Sequence, residues 1–186
     1  MHSWRVLILP IIGEQALYDR YDFTKPWDSP ENRLLLSQRP GLFALHDRNN
    51  DGGSTTNYLA VVGAETAWSV ESPFSLDRIT DGPPNTILVV ENVGSGIHWT
   101  EPADLNFDSM SFELASSPPN GISSSYLPSA ALTADGFVRV LPADEFPPER
   151  LRAMLTAAAG DEPSPYPAAT IEDGRNRPLR SVSDSP

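Results

Sequence analysis

Six consecutive residues of this 186-residue chain have the types and spacing to grip a hard cation: Asp47, Arg48, Asn49, Asn50, Asp51 and Gly52. Oxygen ligands at alternate positions suit calcium, and glycine permits the sharp turn that such a loop makes. A complete calcium loop would close with a bidentate glutamate at its twelfth position, where this chain has Tyr58, and no convincing helix precedes it. Asp47, Asn49 and Asp51 are therefore calcium candidates with an incomplete ligand set, and a polar Asn/Asp/Gly turn between elements is the simpler expectation.

The remaining chemistry is thinner. Gly94, Ser95 and Gly96 follow an expected strand and resemble part of a phosphate loop, but Trp99 stands where a third glycine is needed and no Gly-Lys-Ser/Thr follows. His2, His46 and His98 form no HExxH or HxxxH pattern, and no serine sits in G-x-S-x-G. Glu91, at a strand end, could act as a general base; a lone carboxylate beginning a turn is more often a solvated or capping group. His98–Trp99 is either an exposed binding pair or the cover of a core edge, and the second is favoured. No catalytic residue and no cofactor are expected.

The elements that would hold these residues are short. Ser3 can cap a helix carrying Val6, Leu7 and Leu9, and Ala16 with Leu17 continues the apolar face. Pro10 and Gly13 split this stretch into two short helices or kink one. Ser29 can cap a further helix with Pro30 in its first turn, and Pro40 stops it. Tyr58 to Val62 and Thr86 to Val90 read as buried strands, with a helical turn over Ser75 to Thr80 between them. Asp81–Gly82–Pro83–Pro84 reads as a rigid turn without regular structure. Residues 92 to 129 read as loop, with a strand near Ser111 to Leu114.

Ala130 to Leu141 reads as a hairpin. Asp135–Gly136 suits a two-residue type I′ turn, which would pair Thr133 with Val138 and place Ala131, Thr133, Val138 and Val140 on the inner face. Pro147 or Pro148 opens a last helix with an apolar stripe of Leu151, Met154, Leu155 and Ala158, ended by Gly160. Residues 161 to 186, rich in proline, serine and charge, are expected to be a disordered tail after a domain spanning 1 to 160.

Composition narrows the function. Lys and Arg number 13 against 25 Asp and Glu, a net charge of −12. An acidic surface repels phosphate backbones and anionic membranes, so nucleic acid is not an expected partner. The absence of cysteine excludes disulfides, thiolate metal sites and a cysteine nucleophile. The longest apolar run, Val6 to Ile12, falls far short of the roughly 20 residues a membrane span needs. The start MHSWR has none of the regions of a signal peptide.

SWRVLILP (Ser3 to Pro10), EQALYDRYDF (Glu14 to Phe23) with KPWDSPENR after it, NYLAVVG (Asn57 to Gly63), SLDRITDGPPNTILVVE (Ser75 to Glu91) and ALTADGFVRVL (Ala131 to Leu141) occur in that order. In these five blocks the chain resembles a bacterial prepilin-type, pseudopilin-like family of unknown function. The family's C-terminal pattern is a histidine, nine residues, then Asp-Gly; Asp135 and Gly136 match its end, and Ser125 holds the histidine position. Its Cys-Pro-Ser-Asp segment corresponds to LFALHDRNN here, and the chain is expected to begin where the soluble domain would, without the prepilin helix. A polar side chain at Ser125 is expected to hydrogen-bond across to the Asp135–Gly136 turn.

The resemblance implies a pilin-like α+β fold: N-terminal helix, here in short pieces, packed on a small antiparallel sheet with long loops and a C-terminal helix. It also implies display outside the cytoplasmic membrane and protein partners in a secretion or pilus-like assembly. The leading expectation is a non-enzymatic structural or surface-display domain. The alternative is a soluble module that binds calcium, glycan or protein through the 92 to 129 loops, and a hydrolase ranks third.

Overall fold

The computed structural model describes residues 1–45, 53–69, 75–114, 120–126, 128–158 and 160. The calcium candidates Asp47, Asn49 and Asp51, and the 161 to 186 segment, lie outside the described residues.

The fold is α+β, with a five-stranded sheet and short helices. The first helix, α1 (Trp4–Leu7), is capped by the Ser3 hydroxyl, which accepts from the Arg5 N–H. Pro10 and the left-handed Gly13 (φ 85°) separate it from α2 (Gln15–Arg20), so the stretch is two helices. In α3 (Pro30–Arg33), Ser29 accepts from the Asn32 N–H and Pro30 opens the first turn. Val6, Leu9, Leu17, Tyr21, Leu35, Phe43 and Trp99 bury together and bind these pieces into one unit.

The sheet order is β3-β1-β2-β4-β5, built from β1 (Tyr58–Val62), β2 (Ile87–Glu91), β3 (Leu105–Asn106), β4 (Ser129–Thr133) and β5 (Val138–Leu141). β1, β2, β4 and β5 pair antiparallel, as expected, but β3 runs parallel to β1, so the sheet is mixed. Leu59, Val61, Ile87, Val90, Ala131 and Leu141 pack on Leu151, Met154 and Leu155, the last two turns of α4 (Pro148–Met154) and its cap. The 92 to 129 region contributes Phe107, Met110 and Ile122 to that core.

Several expectations are corrected. Ser111 makes only an isolated bridge to Gly121, and the strand of that region is the two-residue β3. Pro83–Asn85 forms one turn of 3-10 helix, since two prolines fix φ in helical range without requiring their missing N–H groups. Helix α4 stops at Met154, not near Gly160. The chain after it pairs Thr156 with Thr66, and Ala158 is exposed.

The largest correction is the hairpin. Leu132 pairs with Val138 and Ala130 with Val140, a register one residue off that of a type I′ turn. The loop therefore holds three residues, Ala134 to Gly136, closed by Thr133 N–H donating to Phe137 O and Gly136 N–H to Thr133 O. Gly136, at φ 84°, supplies the left-handed residue of such a loop. A one-residue slip exchanges faces: Ala131 and Thr133 stay inside, but Val138 and Val140 are 44% and 48% exposed, and Arg139 and Leu141 turn inward. Burying Arg139 is tolerable because its guanidinium bonds Asp135 Oδ2 at 2.7 Å and the Thr133 hydroxyl at 3.2 Å.

Candidate functional site

The outer face of the sheet, opposite α4, carries both features that could do something beyond folding. Its centre is a polar node that fastens α1 to β1. Arg5 is fully buried, and its Nη2 donates to Asp104 Oδ1 at 2.6 Å and to Tyr58 O at 2.9 Å. Its Nε also reaches Tyr58 O, and Nη1 reaches Ser3 Oγ and Glu101 O. Asp104 Oδ1 accepts further from the Ala60 N–H at 2.8 Å and from the Trp4 indole at 3.2 Å. Burial lowers the Arg5 pKa and raises that of Asp104, while each group's charge pulls the other back toward its ionised form. The node is a clamp: it completes the N-terminal segment's contact with the sheet.

Beside the node an apolar groove of about 370 Å³ runs between Trp4, Ile8, Leu42 and Phe43 on one wall and Val89, Ala130, Leu132 and Val138 on the other. Leu42 is 60% exposed at its mouth, and the register slip turns Val138 into its far wall, with Val140 exposed further along the same face of β5. Trp4 also borders a second cavity, of about 430 Å³, lined by His2, Trp68, Pro102, Asp104 and Asn106 among others.

The residues singled out from sequence do not converge. Glu91 is buried at the end of β2, and its Oε2 accepts from the Ala130 N–H at 3.0 Å; it is a capping group for β4. His98 packs on Trp27 at 6.1 Å, donates its backbone N–H to Glu101 and pairs with Thr55. Trp99 is fully buried, donates to Leu36 O and stacks on Phe43 at 6.2 Å, so the core-edge reading holds. Gly94 and Gly96 sit at positive φ in a loop that Ser95 closes on the Ile97 N–H, and no helix follows. His2 Nδ1 lies 3.0 Å from the Tyr21 hydroxyl, whose pKa is pushed up to about 12 by burial and then by Asp28.

Tyr58, at the calcium loop's twelfth position, begins β1 opposite Glu91. Among the described residues no group of three or more His, Asp or Glu could hold a metal ion. Ser125 is exposed, and the Asp135 turn is organised by Thr133, Phe137 and Arg139 instead. No helix among the described residues is long and apolar enough to cross a membrane.

Arg5, Asp104, Trp4 and Trp68 escaped sequence reasoning. A lone Asp in a Pro/Ala-rich loop carries no local signal, and its partner lies 99 residues away. The one available hint was an arginine inside an otherwise apolar run, which a buried helix tolerates only with a partner.

No curated protein and no solved structure gives a match to the chain. Its first 44 residues, which hold α1 to α3 and the arginine of the clamp, match the model of a family described as a protein of unknown function (DUF1559).

Proposed function

We propose that the chain is a non-enzymatic, pseudopilin-like structural or surface-display domain, whose outer sheet face packs against a protein neighbour in a secretion or pilus-like assembly. The observation that carries this reading is the open apolar groove bordered by Leu42 and Val138, on the face to which the family-matched N-terminal segment is clamped. Apolar patches of this kind on a highly charged protein mark surfaces that a partner covers. The net charge of −12 keeps the rest of the surface soluble and steers it away from nucleic acid.

The reading also accounts for where the polar residues are used. Arg5, Glu91, Asp104 and Asp135 all bond backbone or each other within the fold, which suits a scaffold. Expression behind a prepilin leader and its apolar helix, in a bacterium with a pilus-type secretion system, tests the reading. Export and co-purification with assembly components, reduced by Leu42→Asp, support it. Export as a free monomer with no co-purifying component contradicts it.

A further inference from the structure

The cavity beside α1 shares Ser3, Trp4, Ala60 and Asp104 with the clamp, and Trp4 with the groove, but Trp68 and Asn106 serve neither. It has the composition of a ligand site: two indoles, an imidazole, a carboxylate, an amide and a serine hydroxyl set among apolar side chains. Trp4 and Trp68 stand with ring centroids 5.8 Å apart and planes tilted by 35°, forming a stepped aromatic wall. Asp104 accepts three hydrogen bonds through Oδ1 (from Arg5, Ala60 and Trp4), and among the described residues none falls on Oδ2. Asn106 uses Oδ1 to accept from the Asp108 N–H and the Ser109 hydroxyl, which leaves its Nδ2 as a donor at the rim.

Indoles beside a carboxylate could in principle take a cation. Here that choice is disfavoured by charge already in place. Asp104 is paired to Arg5 at 2.6 Å, and the Arg5 guanidinium sits 4.8 Å from the Trp4 ring centroid, so a second cation would meet a resident one. A neutral ligand with an apolar face and hydroxyl donors meets no such penalty. Its C–H face would lie on an indole, one hydroxyl would donate to Asp104 Oδ2 and another oxygen would accept from Asn106 Nδ2.

We infer that the cavity formed by Trp4, Trp68, Asp104 and Asn106 is a binding subsite for a neutral saccharide. It does not rest on the structural reading above: it needs no partner protein and shares only Trp4 with the groove. The volume of about 430 Å³ suits one or two sugar rings.

The test is titration of the full chain with cellotriose, maltotriose and chitotriose, read by tryptophan fluorescence and saturation-transfer NMR. The expected result is saturable binding of at least one of them in the millimolar range or tighter. Affinity should fall tenfold or more in Trp68→Ala and in Asn106→Asp, which keeps the turn-forming Oδ1 but replaces the donor amide with a charged, acceptor-only carboxylate. Because Trp68 also packs against the Ala67, Ile79 and Ala157 cluster and donates to Leu88 O, Asn106→Asp, at an exposed position, keeps the test meaningful if Trp68→Ala fails to fold. Leu42→Asp, on the groove, should leave binding unchanged. No saturation at 50 mM with any of the three sugars, binding indifferent to Asn106→Asp, or tighter binding of choline than of any sugar would each overturn the inference.

Discussion

Replacing Arg5 with methionine should destabilise the chain by an amount that depends on pH. The substitution keeps most of the apolar stem and removes a guanidinium that donates to Asp104, to Tyr58 O through two nitrogens, to Ser3 and to Glu101. Asp104, whose side chain is 10% exposed, is then left with two donors, Ala60 N–H and the Trp4 indole. Breaking a buried pair from one side costs about 3–5 kcal/mol. Asp104 has a way to relieve part of that cost, because it can take a proton.

Burial already raises its pKa above the ordinary value, with Arg5 foremost among the influences that oppose the rise. Without Arg5 the rise grows. A carboxyl whose folded pKa exceeds its unfolded value contributes most below the unfolded value, and that contribution is lost as pH rises through the folded pKa. The Arg5→Met penalty should therefore be larger at pH 8 than at pH 5, by about 1.4 kcal/mol for each unit by which the further rise carries the folded pKa above pH 5. Asp104→Asn keeps an acceptor oxygen for Ala60 and Trp4 but leaves a buried guanidinium that cannot shed its proton in this range. Its penalty, about 2–4 kcal/mol, should not grow between pH 5 and pH 8, because the pH dependence it removes runs in the opposite direction. Urea unfolding of the two variants at both pH values decides the matter. Equal Arg5→Met penalties at pH 5 and pH 8, or a penalty below about 1 kcal/mol, would refute the clamp.

Three further outcomes are expected. Leu141→Ala, at a site 1% exposed, should cost about 2–4 kcal/mol, whereas Val140→Thr at 48% exposure should cost under about 0.5 kcal/mol; the reverse order by chemical denaturation would restore the type I′ register. Gly63→Ala should cost about 1–3 kcal/mol, because an added Cβ would lie 2.8 Å from Phe107 Cβ and 3.3 Å from Thr66 Cγ2; an unchanged melting temperature would contradict that packing. Although burial pushes Asp135 upward, bonds from Thr133 and Phe137 and the Arg139 charge hold it below the usual carboxylate range. Its contribution is present above the unfolded value of 3.8 and lost as pH falls through the folded one, so Asp135→Asn should flatten the loss of stability in acid.

Much of the fold was legible because its signals are local. Ser3 and Ser29 are caps whose side chains bond the next turn, and prolines and glycines punctuate the elements between them. The apolar runs of β1 and β2 announce buried strands through composition alone. The hairpin failed on a degeneracy: Asp-Gly serves both a two-residue loop and the end of a three-residue loop. What separates them is the Arg139–Asp135–Thr133 cluster, which makes an inward arginine acceptable and turns two valines out. Strand β3 was invisible because two residues carry no period, and the Asp104 that precedes it bonds the β1 backbone at Ala60 and the sequence-distant Arg5. The β5 wall of the groove follows from that same slip, so no reading of the hairpin in the wrong register could have turned Val138 toward it.

The central claim, that the outer sheet face is covered by a protein neighbour, is tested most directly by cross-linking. The chain has no native cysteine, so single cysteines at Val140 and Leu42 on that face, and at Asp19 on exposed α2, report separately. With the chain exported behind a prepilin leader, a short thiol-reactive cross-linker should trap Val140→Cys and Leu42→Cys with a protein partner while Asp19→Cys stays unlinked. Equal linking at all three positions, or none at Val140 and Leu42, would contradict the account.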